Sequence, residues 1–237
     1  MTEELFREDA YRRECEATVV AVNDRGGIVL DQTVFYPTGG GQPGDAGVLR
    51  LDGGEEIGIA TTVKGQGEEG IVHVPAEGQT LPAPGARVTA VIDWERRHRL
   101  MRMHTAMHLL CSVVNCGVTG GQVGEDKSRL DFDIGEATLD KEHIQTEITR
   151  LIGEDHAVQP RWVTDEEMDG NPDLVRTMSV APPRGSGRVR LMDIPGVDLQ
   201  ACGGTHVTHT GEIGPIRIGK IENKGKRNRR VNIHLED

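Results

Sequence analysis

The spacing of the apolar residues changes character at Trp94, and this break constrains the chain more than any other feature. Before it, apolar residues come in short runs of period two, cut by glycine-rich turns. Residues 16–23 run into the turn Asp24-Arg25-Gly26-Gly27 and then into residues 28–33, a hairpin signal. Residues 48–51, 58–64, 70–74 and 87–93 read as further strands. Several short strands with no long helical pattern predict a small barrel. After the break, Leu100, Met103, Met107, Leu110 and Val114 recur at helical spacing until Gly117, a natural stop after a helix. A strand at 129–134, a helix from Leu139-Asp140 to Gly153 and a strand at 158–163 follow. Next come a short helix and loop over 168–183 and strands at 189–194, 214–221 and 229–235. Helices and strands without a strict βαβ rhythm indicate an α+β domain. The expected organisation is a β-barrel domain over 1–93 and an α+β domain over 94–237.

At 237 residues, either part can bury a core, and with aromatics at 3% that core is expected to be aliphatic. No run approaches the ~18 apolar residues of a membrane helix. The acidic first sixteen residues do not read as a signal peptide. Four cysteines (Cys15, Cys111, Cys116, Cys202) are too few for a disulfide scaffold, which fits a reducing cytoplasm.

A net charge of −11 excludes a protein that coats nucleic acid uniformly, yet the positive charge is local. Residues 220–230 hold six Lys/Arg against one Glu. Residues 94–104 hold Arg96, Arg97, Arg99 and Arg102 against one Glu. Such runs read either as solvated faces or as phosphate contacts.

His104 and His108 stand four apart in the helix after Trp94, on one face. A second pair, Cys202 and His206, flanks Gly203-Gly204-Thr205, where glycines allow a left-handed, tight turn. One thiolate and three imidazoles suit Zn²⁺. Because 93 residues separate the pairs, such a site joins distant elements of a folded domain, as catalytic metals do. Cys111, three residues after His108, is a rival ligand but reads as helix packing. In the 33–47 segment, Gly39-Gly40-Gly41 before Gln42-Pro43 lets a backbone approach something closely. The tripeptide Gly40-Gly41-Gln42 matches the GGQ of peptide release factors; no Gly-Lys-Ser/Thr follows, so it is not a Walker loop.

HTAMH (104–108), CGGTHVTHTGEIG (202–214) and FYPTGGGQPGDAG (35–47) together resemble the AlaX proteins, freestanding relatives of the editing domain of alanyl-tRNA synthetase. The resemblance runs from about Thr33 to Arg230 in the family's order, and the barrel-first layout is similar to the medium-length class. It implies Zn²⁺ at His104, His108, Cys202 and His206. It also implies deacylation of tRNA(Ala) wrongly charged with serine or glycine. On that reading Thr119 and Gln122, or Thr38, Gly40, Gly41 and Gln42, are expected to line the substrate pocket. Lys224, Lys226, Arg227, Arg229 and Arg230 are expected to grip the acceptor stem of the tRNA. The alternative is a structural-zinc, tRNA-binding module without hydrolysis. A ligase is disfavoured, because barrel and editing domain leave no room for an ATP-using domain.

Overall fold

The structure, a computed structural model, describes residues 2–67, 69–170 and 187–236. It is a mixed α+β protein with a small β-barrel and few helices. Two compact units divide it, Met1–His98 and Arg99–Asp237.

In the first unit the strands are β1 (Glu3–Glu4), β2 (Glu14–Val22), β3 (Ile28–Leu30), β4 (Gln32–Thr33), β5 (Gly47–Leu51), β6 (Glu56–Lys64), β7 (Ile71–Pro75) and β8 (Arg87–Ile92). Six of them close a barrel in the order β2-β3-β7-β6-β5-β8, every pair antiparallel. Period-two residues fill it: Cys15, Ala17 and Val19 from β2, Ile57 and Ile59 from β6, Val88, Ala90 and Ile92 from β8. The aliphatic expectation needs one correction. Phe6, Phe35 and Phe132, all the phenylalanines of the chain, are fully buried, because a ring fills volume that branched aliphatics leave.

Buried polar groups brace this unit. His73 donates from Nδ1 to the Ile28 carbonyl (3.0 Å), and its Nε2 accepts from the Thr33 hydroxyl (2.8 Å). Burial holds the ring's pKa down to about 4. Arg97 is buried against Asp45, with both carboxylate oxygens facing its guanidinium. It also donates to the carbonyls of Ala10 (2.9 Å) and Val34 (2.7 Å). Asp45 accepts from the Tyr36 amide (2.6 Å) and its own amide donates to the Tyr36 carbonyl (2.9 Å). The neck of the glycine-rich loop is thus tied to a buried ion pair.

Helix α1 (Trp94–Val114) begins where Asp93 accepts from the Arg96 amide and ends at Asn115, whose φ is +49°. The remaining elements are β9 (Gly117–Gln122), β10 (Lys127–Asp133), α2 (Lys141–Gly153), β11 (Gln159–Thr164), α3 (Asp165–Asp169), β12 (Arg188–Ile194), β13 (Asp198–Ala201), β14 (Ile216–Asn223) and β15 (Asn228–Leu235). One sheet has the order β14-β15-β10-β9, another β11-β12-β13. Along α1 from Leu100 to Cys111 the apolar side chains are buried on nearly every side, as in a core helix. Asp140 caps α2 by accepting from the amides of Glu142 and His143. Gln145 on α2 then pairs with β14 as a strand would, donating to Ile216 O (3.0 Å) and accepting from Ile218 N (2.7 Å).

Besides the two-residue β1, two strands escape the sequence reading. Gly117 does not simply stop the helix: it opens β9, so Thr119 and Gln122 are strand residues rather than loop residues. The strand tolerates Gly121 because a side chain there would collide with Leu130, whose Cδ2 lies 2.9 Å from an ideal Cβ. The second is β13, four residues before the Cys-Gly-Gly turn. Of the helix and loop expected over 168–183, residues 171–183 lie outside the described residues.

Candidate metal centre

Helix α1 projects His104 and His108 from one face; the segment after β13 returns Cys202 and His206 to them. One ligand atom from each of the four lies within 4.8 Å of all the others. Cys202 Sγ is 3.6 Å from His104 Nε2 and 3.2 Å from His206 Nε2. The three histidines are 4–7% exposed. Cys111, buried on the same helix, lies outside this group.

The supporting hydrogen bonds fix which nitrogen of His108 and of His206 faces inward. His108 Nδ1 donates to Asp198 Oδ2 at 2.9 Å, leaving Nε2 toward the group. The Thr105 hydroxyl donates to Met101 O, so its oxygen accepts from His206 Nδ1 (3.3 Å) and from the Val207 amide (3.3 Å). His206 Nε2 is turned inward by the same logic. Gln200 donates to Asp198 Oδ2 at 2.6 Å and holds that carboxylate in place.

The charges agree with a cation site. Burial pushes the Cys202 thiol up, but the imidazoles around it, His104 foremost, outweigh this and hold the thiol well below its usual range. Burial, and then His104, hold His206 well below the usual imidazole range. Burial also lowers His108, but the Asp198 hydrogen bond and the Cys202 sulfur reverse this and bring it to about 10. A thiolate and a proton on His108 therefore face one another, and a cation can take that proton's place. The donor set, the inward nitrogens and the buried thiolate all fit a metal ion.

The turn itself departs from the expectation. Gly203 and Gly204 are not among the glycines with positive φ. The turn is held instead by Arg190, whose Nη1 donates to the carbonyls of Cys202 (3.0 Å) and Gly204 (2.9 Å), and by the Gly204 amide facing Sγ at 3.4 Å.

The other predicted residues fall in three places. In the first unit, Gly39 and Gln42 exchange both backbone hydrogen bonds, with Gly40 at φ +55° and Gly41 at +84°. This two-residue turn takes positive φ at both positions, which glycine adopts without steric cost. Gly40 and Gly41 are exposed and Gln42 is buried. Thr38 donates to Thr62 O (3.2 Å) and accepts from the Gly44 amide (2.9 Å). In the second unit, Thr119 donates to Asp131 O (3.1 Å) and accepts from Asn228 Nδ2 (2.8 Å), while Gln122 is exposed at the end of β9.

The basic run forms the β14–β15 hairpin. Much of its charge faces acids: Lys224 on Glu222 (3.0 Å), Arg227 on Asp133 (3.1 Å), and Arg230 on both oxygens of Asp131 (2.7 and 2.9 Å). Glu222, Arg230 and Asp131 share one row across three strands, a ladder of alternating sign. Arg229 donates to Asn223 Oδ1 and Gly225 O, and Lys226 is exposed.

Asp198, Gln200, Thr105 and Arg190 were missed by the sequence reading. The signal for two of them was present: Asp198, Gln200 and Cys202 alternate at period two, which places three polar side chains on one face of a strand.

Comparison with known proteins agrees with this arrangement. Residues 189–232 match the family model described as the threonyl and alanyl tRNA synthetase second additional domain. Residues 8–96 match that of class II (A) tRNA synthetases. The chain is 40% identical over 245 residues to the alanyl-tRNA editing protein AlaX-M of Methanosarcina acetivorans, covering all of both chains. It is 36% identical to AlaX-M of Saccharolobus solfataricus, covering 98% of each. An alanine–tRNA ligase of Pyrobaculum neutrophilum is 38% identical over 93% of this chain but only 25% of its own length. End-to-end identity at this level, with the ligand pairs of both motifs brought together, establishes that the chain belongs to the AlaX family of alanyl-tRNA editing proteins.

Proposed function

We propose that the chain is a trans-editing hydrolase that deacylates mischarged tRNA(Ala), chiefly Ser-tRNA(Ala) and also Gly-tRNA(Ala), with Zn²⁺ held by His104, His108, Cys202 and His206. The observation that carries this reading is the convergence of the four ligand atoms in a chain alike over its whole length to proteins named for alanyl-tRNA editing. Zinc is supported by the donor set and by the spacing. The four donor atoms lie within 4.8 Å of one another, with Cys202 Sγ 3.6 and 3.2 Å from two imidazole nitrogens.

When bound, zinc supplies Lewis-acid polarisation of an ester carbonyl or of a water. The chain's own residues do the positioning. Asp198 keeps the His108 proton on Nδ1, Thr105 does so for His206, and Arg190 fixes the turn that carries the thiolate. Division of labour follows the domains: a barrel domain over 1–93 carries Thr38, Gly40, Gly41 and Gln42, and an editing domain over 94–237 carries the metal, Thr119 and Gln122. In this reading Thr119 and Gln122, or their rivals Thr38, Gly40, Gly41 and Gln42, contact the amino acid. A pocket that hydrogen-bonds the seryl hydroxyl rejects alanine, which lacks it, by up to about 10⁴-fold. Lys226 and Arg229, with Lys224, Arg227 and Arg230 beside them, contact acceptor-stem phosphates.

Four protein ligands form a closed set, which favours a second reading: a structural-zinc tRNA-binding module. Deacylation rates of Ser-tRNA(Ala), Ala-tRNA(Ala) and Ser-tRNA(Ser), with and without chelator, separate the two. The editing reading expects fast, chelator-sensitive loss of the first alone. Equal rates on the first two remove the amino-acid sieve. Background rates on all three leave the binding module.

A further inference from the structure

The sheet β11-β12-β13 has two unlike faces. One packs Val163, Val189 and Leu191 with Leu199 and Ala201 around Met168. The other presents Asp198, Gln200 and Cys202, the first two of which meet His108. This second face therefore looks onto the ligand group. Register identifies what else stands on it. Asp198 opposes Ile194 and Gln200 opposes Met192, and the Cys202 amide donates to Arg190 O at 3.1 Å, which extends the ladder to Arg190. On the outer strand, Arg190 opposes Trp162. Directly opposed residues project from the same face, so Trp162, Arg190 and Cys202 form one row. At about 4.8 Å per strand step, the Trp162 backbone lies about 10 Å from that of Cys202. Arg190 between them is 8% exposed, whereas Trp162 is 45% exposed. Among the described residues of the second unit, Trp162 is the exposed large hydrophobic side chain.

We propose that the Trp162 indole is a stacking surface for the adenine base of the 3′-terminal nucleotide of the substrate. The proposal rests on reading the ligand group as the deacylation centre. An acyl ester on a ribose 3′ oxygen cannot reach that group alone: it brings a base attached to the same ribose. A half-open indole one row-width away, on the same face, offers that base a π-surface at a distance one ribose and its base can bridge. Stacking needs no hydrogen-bond code, which suits a terminal nucleotide common to all tRNAs.

The test uses the metal-loaded protein and a non-hydrolysable 3′-seryl-amino-3′-deoxyadenosine. In a Trp94→Phe background, where Trp162 is the remaining tryptophan, the analogue should quench its fluorescence saturably. Trp162→Ala should lower kcat/KM for Ser-tRNA(Ala) roughly tenfold to a hundredfold, mostly through KM. Trp162→Phe should restore most of that loss and Trp162→Leu should not, with metal content equal in all three. Unchanged kcat/KM in Trp162→Ala, or no quenching by the analogue, overturns the proposal and leaves the editing function standing. A Leu variant as good as the Phe variant also overturns it, since the side chain would then only pack. A parent protein inactive on Ser-tRNA(Ala) strikes the functional reading, and quenching then decides the stack on its own.

Discussion

Asp198 supplies none of the four ligand atoms, yet it sets the tautomer of one of them. Removing it takes away the carboxylate that keeps the His108 proton on Nδ1. Asp198→Ala should therefore weaken metal affinity about 10- to 100-fold with all four ligands intact, as read by competition with a chromophoric chelator. An unchanged affinity would reduce the carboxylate to a packing role. The grouping of the four residues was legible from their spacing: i,i+4 on a helix, and Cys and His around a short turn. Their supports were not. Asp198 sits on β13, a four-residue strand too short to announce itself, and Thr105 between the two histidines looks like an ordinary helix residue. Arg97 makes a second prediction at this scale. Its charge is wholly buried against Asp45, so Arg97→Met should cost about 3–5 kcal/mol in equilibrium unfolding, since it leaves a carboxylate buried without its cation.

At the scale of elements, strand β7 carries a titratable group in a place that forbids its charge. The His73 pKa is held near 4 in the fold, against about 6.5 in an unfolded chain. Between those values the unfolded chain takes up a proton that the folded barrel refuses. The stability tied to His73 is thus fully present above about pH 6.5, falls as pH drops, and levels off below about 4. The loss is of the order of 3 kcal/mol. Denaturant melts across pH 4–6.5 should show it, and His73→Gln should flatten the slope by one proton. Strands of period two were legible in the barrel because each has one buried face. β9 was not, because Gly117, Gly120 and Gly121 erase the alternation that would announce it; Gly121 leaves the space that Leu130 and Met107 of helix α1 occupy. The basic hairpin was legible as charge but not as pairing, since its acidic partners Asp131 and Asp133 lie on another strand, about a hundred residues earlier in the chain.

For the molecule as a whole, net charge and local charge point in opposite directions, and the ion pairs decide how much of the basic hairpin is available to RNA. Lys226 and Arg229 are not paired with carboxylates among the described residues, whereas Arg230 is held by Asp131. Neutralising Lys226 and Arg229 together should weaken tRNA binding at every sequence and flatten log K against log salt by about 1.5 to 2. Arg230→Ala should instead act mainly on stability, with a smaller change in salt slope. Equal slopes in the parent and the double variant would return the hairpin to an ordinary solvated sheet face.

The separation of the ligand pairs along the chain also has a consequence in time. Cys202 follows His104 by 98 positions. At about 5–20 residues per second of synthesis, the helix pair waits roughly 5–20 s for its partners to be made. During that interval His104 and His108 lack both Cys202 and His206, and two imidazoles alone are a poor grip for any ion. Any metal loading at this site is therefore a late event that reads out a finished second unit, and a chain cut short between the two motifs never assembles the site.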